Sequence, residues 1–162
     1  MRHATAGGAG GGSDHERALS SAGRAEASAV GARLQALDWV PSRAIISSAR
    51  RCQETWSAVA EAFPTPRTFD ARDAIYNAGP AELAHTIAGE GPSELEETLL
   101  LLAHNPGVSV LAFEFVAGRE SNEARLRGGF SPGSFACFEV DGAWSELSRR
   151  NVRLVHFERP EA

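Results

Sequence analysis

Cysteine is scarce in this chain: Cys52 and Cys137 are the only two in 162 residues. Two thiols make no disulfide framework, and without a CxxC pair they do not spell a zinc site. Both lie in apolar surroundings and read as buried free thiols. Long hydrophobic runs are missing as well. The most apolar stretch, Thr98 to Ala103, spans six residues, against about 20 for a helix that crosses a bilayer. A basic excess is also lacking. The formal net charge is -5, which removes the electrostatic footprint of a nucleic-acid binder and the basic amphipathic face that docks on anionic lipid. The N-terminus is glycine-rich and carries His3 and Asp14, unlike a secretory leader. The expectation is a cytoplasmic protein with neither nucleic acid nor membrane as partner.

What is present suits one globular domain over residues 1–162. A chain of this length buries roughly 70% of its unfolded surface around one core, and the 43% hydrophobic and 23% charged content is ordinary for that class. No internal repeat stands out. Gly7 to Gly12 is low in complexity and reads as a mobile surface loop.

Helical and strand signals alternate from there. Ser20 or Ser21 caps a helix running to about Leu37, with Val30, Leu34 and Leu37 on one face. Ala44 to Ser47 is a short β-branched run that reads as a buried strand. Ser48 then caps a helix over Ala49 to Phe63, ended by Pro64 and Pro66. Arg67 to Asp70 reads as an edge strand, Pro80 to Gly89 as a helix with proline in its first turn, and Glu94 to Glu97 as an acidic loop. Thr98 to Ala103 is apolar at nearly every position, the mark of a strand covered on both faces. A helix over Gly107 to Ala117 and two late strands, Phe135 to Val140 and Val152 to Phe157, complete the pattern, with Asp141-Gly142 as a turn. The fold class predicted is α/β: a three-layer α/β/α sandwich on a mostly parallel sheet.

The chemistry-bearing residues gather where strands stop and helices start. Arg2-His3-Ala4 opens the chain; Ser47 to Thr55 follows a strand and begins a helix; Ala103-His104-Asn105-Pro106 does the same; Asp14 to Gly23 lies between. Ligands in α/β sheets bind off the carboxyl ends of strands, and helix N-termini there present free N–H groups to an anion. Arginine is suited to phosphate because its planar fork donates two parallel hydrogen bonds. An acidic chain thus carries a local anion site.

These segments resemble the histidine phosphatase superfamily, with its phosphoglycerate mutase-like fold. Arg2-His3-Ala4 is similar to its Arg-His-Gly/Ala signature. Ser47-Ser48-Ala49-Arg50-Arg51-Cys52-Gln53-Glu54-Thr55 resembles its Ser-Pro-x-x-Arg-x-x-x-Thr motif, which marks Arg51 rather than Arg50 as the pocket arginine. Ala103-His104-Asn105-Pro106 resembles Gly-His-Asn-Pro. Asp14-x-x-Arg17-x-Leu19-Ser20-x-x-Gly23 resembles a segment of the small SixA-like phosphohistidine phosphatases.

The resemblance implies a phosphatase. His3 attacks phosphorus and forms a phosphohistidine, which water hydrolyses. Arg2, Arg51 and His104 spread over the equatorial oxygens, with His104 as a cation and His3 neutral. Asn105 and Arg17 join the substrate-binding set, and Asp73 is the candidate general acid. Neither metal nor cofactor is called for, because the arginines supply the positive charge. The partner implied is a phosphorylated substrate, either a phosphohistidine protein or a small phosphate ester; oligomeric state stays open. Two other readings stand beside it: a non-catalytic phosphate-binding module and a phosphoglycerate mutase-like enzyme. Relatives place an apolar strand before Arg-His, whereas Met1 alone precedes Arg2 here; the expectation is a truncated first strand, with either the true start upstream or the strand nearly absent.

Overall fold

The computed structural model describes residues 1–8, 12–65, 69–90 and 98–160. Glu94 to Glu97, Arg67, Thr68 and the middle of the Gly7–Gly12 segment lie outside the described residues. The elements in order are α1 (Ser21–Ala36), β1 (Arg43–Ser47), α2 (Arg50–Ala60), β2 (Phe69–Arg72), α3 (Pro80–Ala88), β3 (Leu99–Leu102), α4 (Gly107–Val116), α5 (Glu120–Leu126), β4 (Phe135–Val140) and β5 (Val152–Glu158).

Three strands form a parallel sheet in the order β2-β1-β3, and β4 pairs antiparallel with β5. This is the mixed α/β class expected. Because a parallel sheet is covered on both faces, β3 contributes to two cores. Leu100 and Leu102 join Val30, Leu34, Trp56 and Val59 of α1 and α2. Leu99 and Leu101 face the opposite core, with Leu83 of α3 and Val108, Leu111 and Phe115 of α4. The first layer is drawn tight by Gly31, where an added Cβ would lie 2.3 Å from the Val59 carbonyl oxygen. No helix among the described residues is long and apolar enough to cross a membrane.

Several local expectations shift. Ser20 caps α1 as read, its hydroxyl accepting from the Gly23 N–H at 2.9 Å. Ser48 does not cap α2: Ala49 occupies the cap position without a side-chain bond, and the Ser48 hydroxyl meets His15 instead. α2 stops at Ala60 rather than Phe63, because the N–H groups of Ala62 and Phe63 turn to carbonyls three residues back, the tightening common in a last helical turn. α5 was not foreseen; its seven residues, mostly polar, carry too little periodicity. Where the truncated first strand was expected, Arg2 bridges Ala103 in parallel, and its N–H donates to the Ser134 carbonyl at 3.0 Å.

Candidate active site

Two strand ends and the amino-terminal segment converge. β1 ends at Ser47 and leads through Ser48-Ala49 into α2; β3 ends at Leu102 and leads through Ala103 to Pro106 into α4. Residues 1–3 lie alongside β3, with the His3 N–H donating to the Ala103 carbonyl at 3.2 Å. The carboxyl ends of the parallel strands thus carry the site.

Arg51 sits in the first turn of α2 and is only 4% exposed. Its Nε donates to His3 Nε2 at 3.3 Å, its Nη2 to His104 Nδ1 at 3.2 Å, and its Nη1 to the Asp14 carbonyl at 2.6 Å. An ion pair with Asp14 Oδ2 at 3.0 Å completes the set. A guanidinium has no acceptor, so the histidine nitrogens it meets must be the unprotonated ones. The tautomers follow. His3 carries its proton on Nδ1, which donates to the Ala4 carbonyl at 2.8 Å, and keeps a lone pair on Nε2. His104 carries its proton on Nε2, which donates to Ser47 Oγ at 2.8 Å.

Burial pushes the His3 imidazole down to about 4, with Arg51, Arg2 and Arg17 adding to the shift. It pushes His104 down to about 3, with Arg51 the next cause. The expectation of opposite protonation states does not hold in the ligand-free pocket: both imidazoles are neutral, because desolvation and the neighbouring guanidiniums disfavour a further cation.

The other expected residues divide. Arg2 lies at the pocket: Nη1 donates to the Phe130 carbonyl at 2.7 Å, while Nε is buried with no partner among the described residues. Asn105 donates to the same Phe130 carbonyl at 2.8 Å and accepts the Ser109 hydroxyl at 2.6 Å, so its side chain holds the Phe130 loop. Arg17 is tied to the Gly7 carbonyl and to Asp14 Oδ1 at 3.0 Å on the rim. Asp73 is exposed, and its side chain makes no hydrogen bond to His3, Arg51 or His104 among the described residues. Arg50 points away and pairs with Glu54 at 2.8 Å.

Two residues escaped the sequence reading. Tyr76 donates its hydroxyl to Asp14 Oδ2 at 2.8 Å and sets its ring edge-on to His104, with centroids 5.3 Å apart. That bond is the first of the causes, ahead of Arg17, that take the Asp14 carboxyl down to about 2. His15 reaches Ser48 Oγ at 2.9 Å and the Tyr76 ring at 5.0 Å. Neither belongs to a motif; the fold alone brings them in. The result is a neutral imidazole whose Nε2 lone pair accepts from Arg51, held among arginines: a nucleophile inside an anion site.

A model of the histidine phosphatase superfamily (branch 1) matches residues 1–114, and the chain belongs to that family. It is 28% identical to an uncharacterised protein of Mycobacterium leprae over 149 residues, 91% of this chain and 89% of the relative. Among solved structures, it is similar to a proposed phosphohistidine phosphatase SixA from Nakamurella multipartitia, with a TM-score of 0.83 at 28% identity, covering 100% of this chain and 94% of that one. A proposed SixA from Agrobacterium tumefaciens gives a TM-score of 0.81 at 28% identity, covering 99% and 95%. The fold is therefore phosphoglycerate mutase-like, and the chain is a phosphatase of the histidine-nucleophile type.

Proposed function

We propose that the chain hydrolyses a phosphohistidine on a protein, with His3 as nucleophile. The observation that carries this reading is the Arg51 fork: one guanidinium reaches both His3 Nε2 and His104 Nδ1, which supports a phosphoryl group binding between the histidines. His3 Nε2 attacks phosphorus, the new N–P bond forms as the bond to the substrate imidazole breaks, and that imidazole takes a proton from water. The hydroxide left by that water then attacks phosphorus, the bond to His3 breaks, and hydrogen phosphate leaves with the His3 ring neutral again.

Arg51 and Arg2 stabilise charge on the equatorial oxygens, and the unpartnered Arg2 Nε is a donor ready for one of them. An arriving phosphate anion raises the proton affinity of His104, since a nearby negative charge favours the cation. His104 then becomes a donor to phosphate, the role first expected of it. The SixA relatives at 28% identity support a phosphorylated protein as substrate. Phosphohistidine also suits a site where the carboxylate bonded to Arg51 is no ready acid: Asp14 stays ionised, and an imidazole leaves with little help, unlike an alcohol.

The test is turnover of a phosphohistidine peptide and of p-nitrophenyl phosphate. His3→Ala should remove at least about 10³-fold of the activity, and trapping wild type during turnover should give an acid-labile, base-stable phosphoryl label. Turnover that survives His3→Ala would end the nucleophile assignment. Asp73→Asn should leave the phosphohistidine rate within about twofold; a loss of about 10²-fold would make Asp73 the general acid.

A further inference from the structure

The rim of the pocket holds a histidine that the phosphoryl chemistry leaves unused. His15 sits in the 3-10 turn Asp14–Glu16, none of whose residues is buried. Such a turn has little packing to hold it, so its position rests on polar contacts. Two of its residues reach the start of α2. His15 Nε2 meets Ser48 Oγ at 2.9 Å, and Asp14 takes Arg51 twice, through its carbonyl at 2.6 Å and its carboxylate at 3.0 Å. We propose that His15 is a positioning residue for the phosphatase reaction: its bond to Ser48 fixes the turn against α2, so that Asp14 holds the Arg51 fork toward His3. The proposal rests on Arg51 as the phosphate-binding arginine.

Ser48 is a rigid anchor. Its N–H donates to the Arg72 carbonyl at 3.2 Å, and its carbonyl accepts the Gln53 side-chain amide at 2.6 Å. The backbone is thus tied to the end of β2 and to α2, which leaves the hydroxyl for His15. The motif that Ser47 to Thr55 resembles has proline at this position, with no hydroxyl, so the pairing belongs to this chain and not to the motif.

The clamp has two points. Asp14 and His15 are adjacent in the turn, and Ser48 and Arg51 flank the start of α2. With the Asp14 contact alone, the turn could pivot; the second contact fixes its direction. Direction matters because of the edge of the guanidinium that is taken. Asp14 holds Nη1 and Nη2 from outside, while Nε and Nη2 face His3 and His104. A pivot swings the edge that a phosphoryl group would meet, and misplacement of about 1 Å can cost about 10²-fold in rate. Tyr76 closes the arrangement, edge-on to His15 at 5.0 Å and bonded to Asp14 Oδ2 at 2.8 Å.

The His15 ring has no nitrogen to spare for proton transfer to a substrate. Nε2 faces Ser48, and Nδ1 faces the Glu16 carboxylate at 3.2 Å. A carboxylate only accepts, so Nδ1 carries a proton. The Ser48 hydroxyl turns to donate or accept, and therefore matches Nε2 in either protonation state. The Glu16 side chain is 65% exposed, so its pairing contributes little.

The test reads Arg51 directly, in the whole chain. The NMR signal of the Arg51 Nε–H, assigned by its loss in Arg51→Lys, reports the fork whether or not any substrate turns over. His15→Ala and Ser48→Ala should each speed its exchange with solvent by about 10-fold. Each should lower kcat/KM on p-nitrophenyl phosphate by about 3–10-fold. The double variant should be no worse than the poorer single one, because both changes cut the same bond. His15→Gln keeps an amide that bonds the Ser48 hydroxyl, and should stay within about twofold of wild type with the same pH–rate profile. Glu16→Gln should also stay within about twofold. Additive losses in the double variant would overturn the proposal. So would unchanged Arg51 Nε–H exchange in both alanine variants. A loss that His15→Gln does not restore, with one limb of the pH–rate profile gone, would make His15 an acid or base instead of a positioning residue. If wild type turns over no phosphate ester, the reading of the pocket fails, and the exchange measurement still decides whether His15 holds Arg51.

Discussion

Arg51 Nε lies 3.3 Å from His3 Nε2 and donates to it, while the proton of His3 is held on the opposite nitrogen by the Ala4 carbonyl. One buried guanidinium therefore fixes the direction of the lone pair that attacks phosphorus. It also reaches His104 and both the carbonyl and the carboxylate of Asp14. A lysine keeps the charge but presents a single point instead of a fork. Arg51→Lys should therefore lower kcat/KM by about 10²–10³-fold, as removal of one well-placed transition-state donor does. Steady-state kinetics on p-nitrophenyl phosphate measure it, with circular dichroism showing the fold intact. Activity within threefold of wild type would separate the fork geometry from catalysis.

The two histidines should be silent through the neutral range. Burial takes His3 to about 4 and His104 to about 3, against about 6.5 for a free imidazole. The His3 ring resonances followed by NMR in the ligand-free protein should not titrate between pH 5 and 8; an inflection between 6 and 7 would contradict the buried, arginine-flanked environment. The stability consequence has a definite sign. Between pH 6.5 and 4 the unfolded chain binds protons at these histidines and the folded chain does not, so stability rises with pH. Their contribution is complete above 6.5 and is lost as pH falls toward 4. Urea midpoints should drop across this window, and His104→Gln should flatten part of the slope.

Tyr76 acts on the pocket through Asp14. Its hydroxyl is the first cause that takes the Asp14 carboxyl down to about 2, and Asp14 in turn holds Arg51. Tyr76→Phe should raise the Asp14 pKa toward the ordinary carboxylate value. A folded-state pKa that is depressed stabilises above about 3.9 and loses that effect as pH falls toward 2. The variant should therefore be less stable than wild type above pH 4 and converge with it in stronger acid. The carboxylate is half exposed, its side chain 51% accessible, so solvent keeps the stability difference small. For activity, a loss of about 3–10-fold in kcat/KM matches one partly exposed hydrogen bond to a charged group. A loss above 10³-fold would mean that Tyr76 itself touches the reacting atoms.

The distinction between Arg50 and Arg51 was legible through the family resemblance, whose motif sets the pocket arginine four residues before Thr55. Thr55 lies one turn beyond Arg51 on the same face, and the structure buries Arg51 while Arg50 pairs with Glu54 in solvent. The parallel strands were legible from the residues themselves: Leu99 to Leu102 is apolar on both faces, which only a covered strand tolerates. The contributions of Tyr76 and His15 were not, since each comes from a short 3-10 turn or its edge and meets the site only through tertiary contacts. Nor was the charge of His104. Its motif gives the residue type, but its proton affinity depends on burial and on two arginines, a histidine and a carboxylate gathered from other parts of the chain. Asn105 carries a motif position and still spends both side-chain groups on Phe130 and Ser109, which no local pattern reveals.

Thr55 links the two motifs most directly. Its hydroxyl donates to the Arg51 carbonyl at 2.6 Å and accepts the Ala4 N–H at 3.1 Å, so the residue after the nucleophile hangs on the helix that carries the pocket arginine. Thr55 and Ala4 are both fully buried. Valine has nearly the same shape but no acceptor, so Thr55→Val leaves the Ala4 N–H unpaired in the interior at a cost of about 1–3 kcal/mol. For a chain of this size that corresponds to a fall in Tm of about 2–12 °C. Thr55→Ser keeps the hydroxyl and should recover most of kcat, though it gives up a buried methyl. If the bond to Ala4 is what holds His3 in line, Thr55→Val should lower kcat at temperatures well below its Tm while Thr55→Ser does not. Equal kcat in the two variants, measured where both are folded, would confine Thr55 to stability.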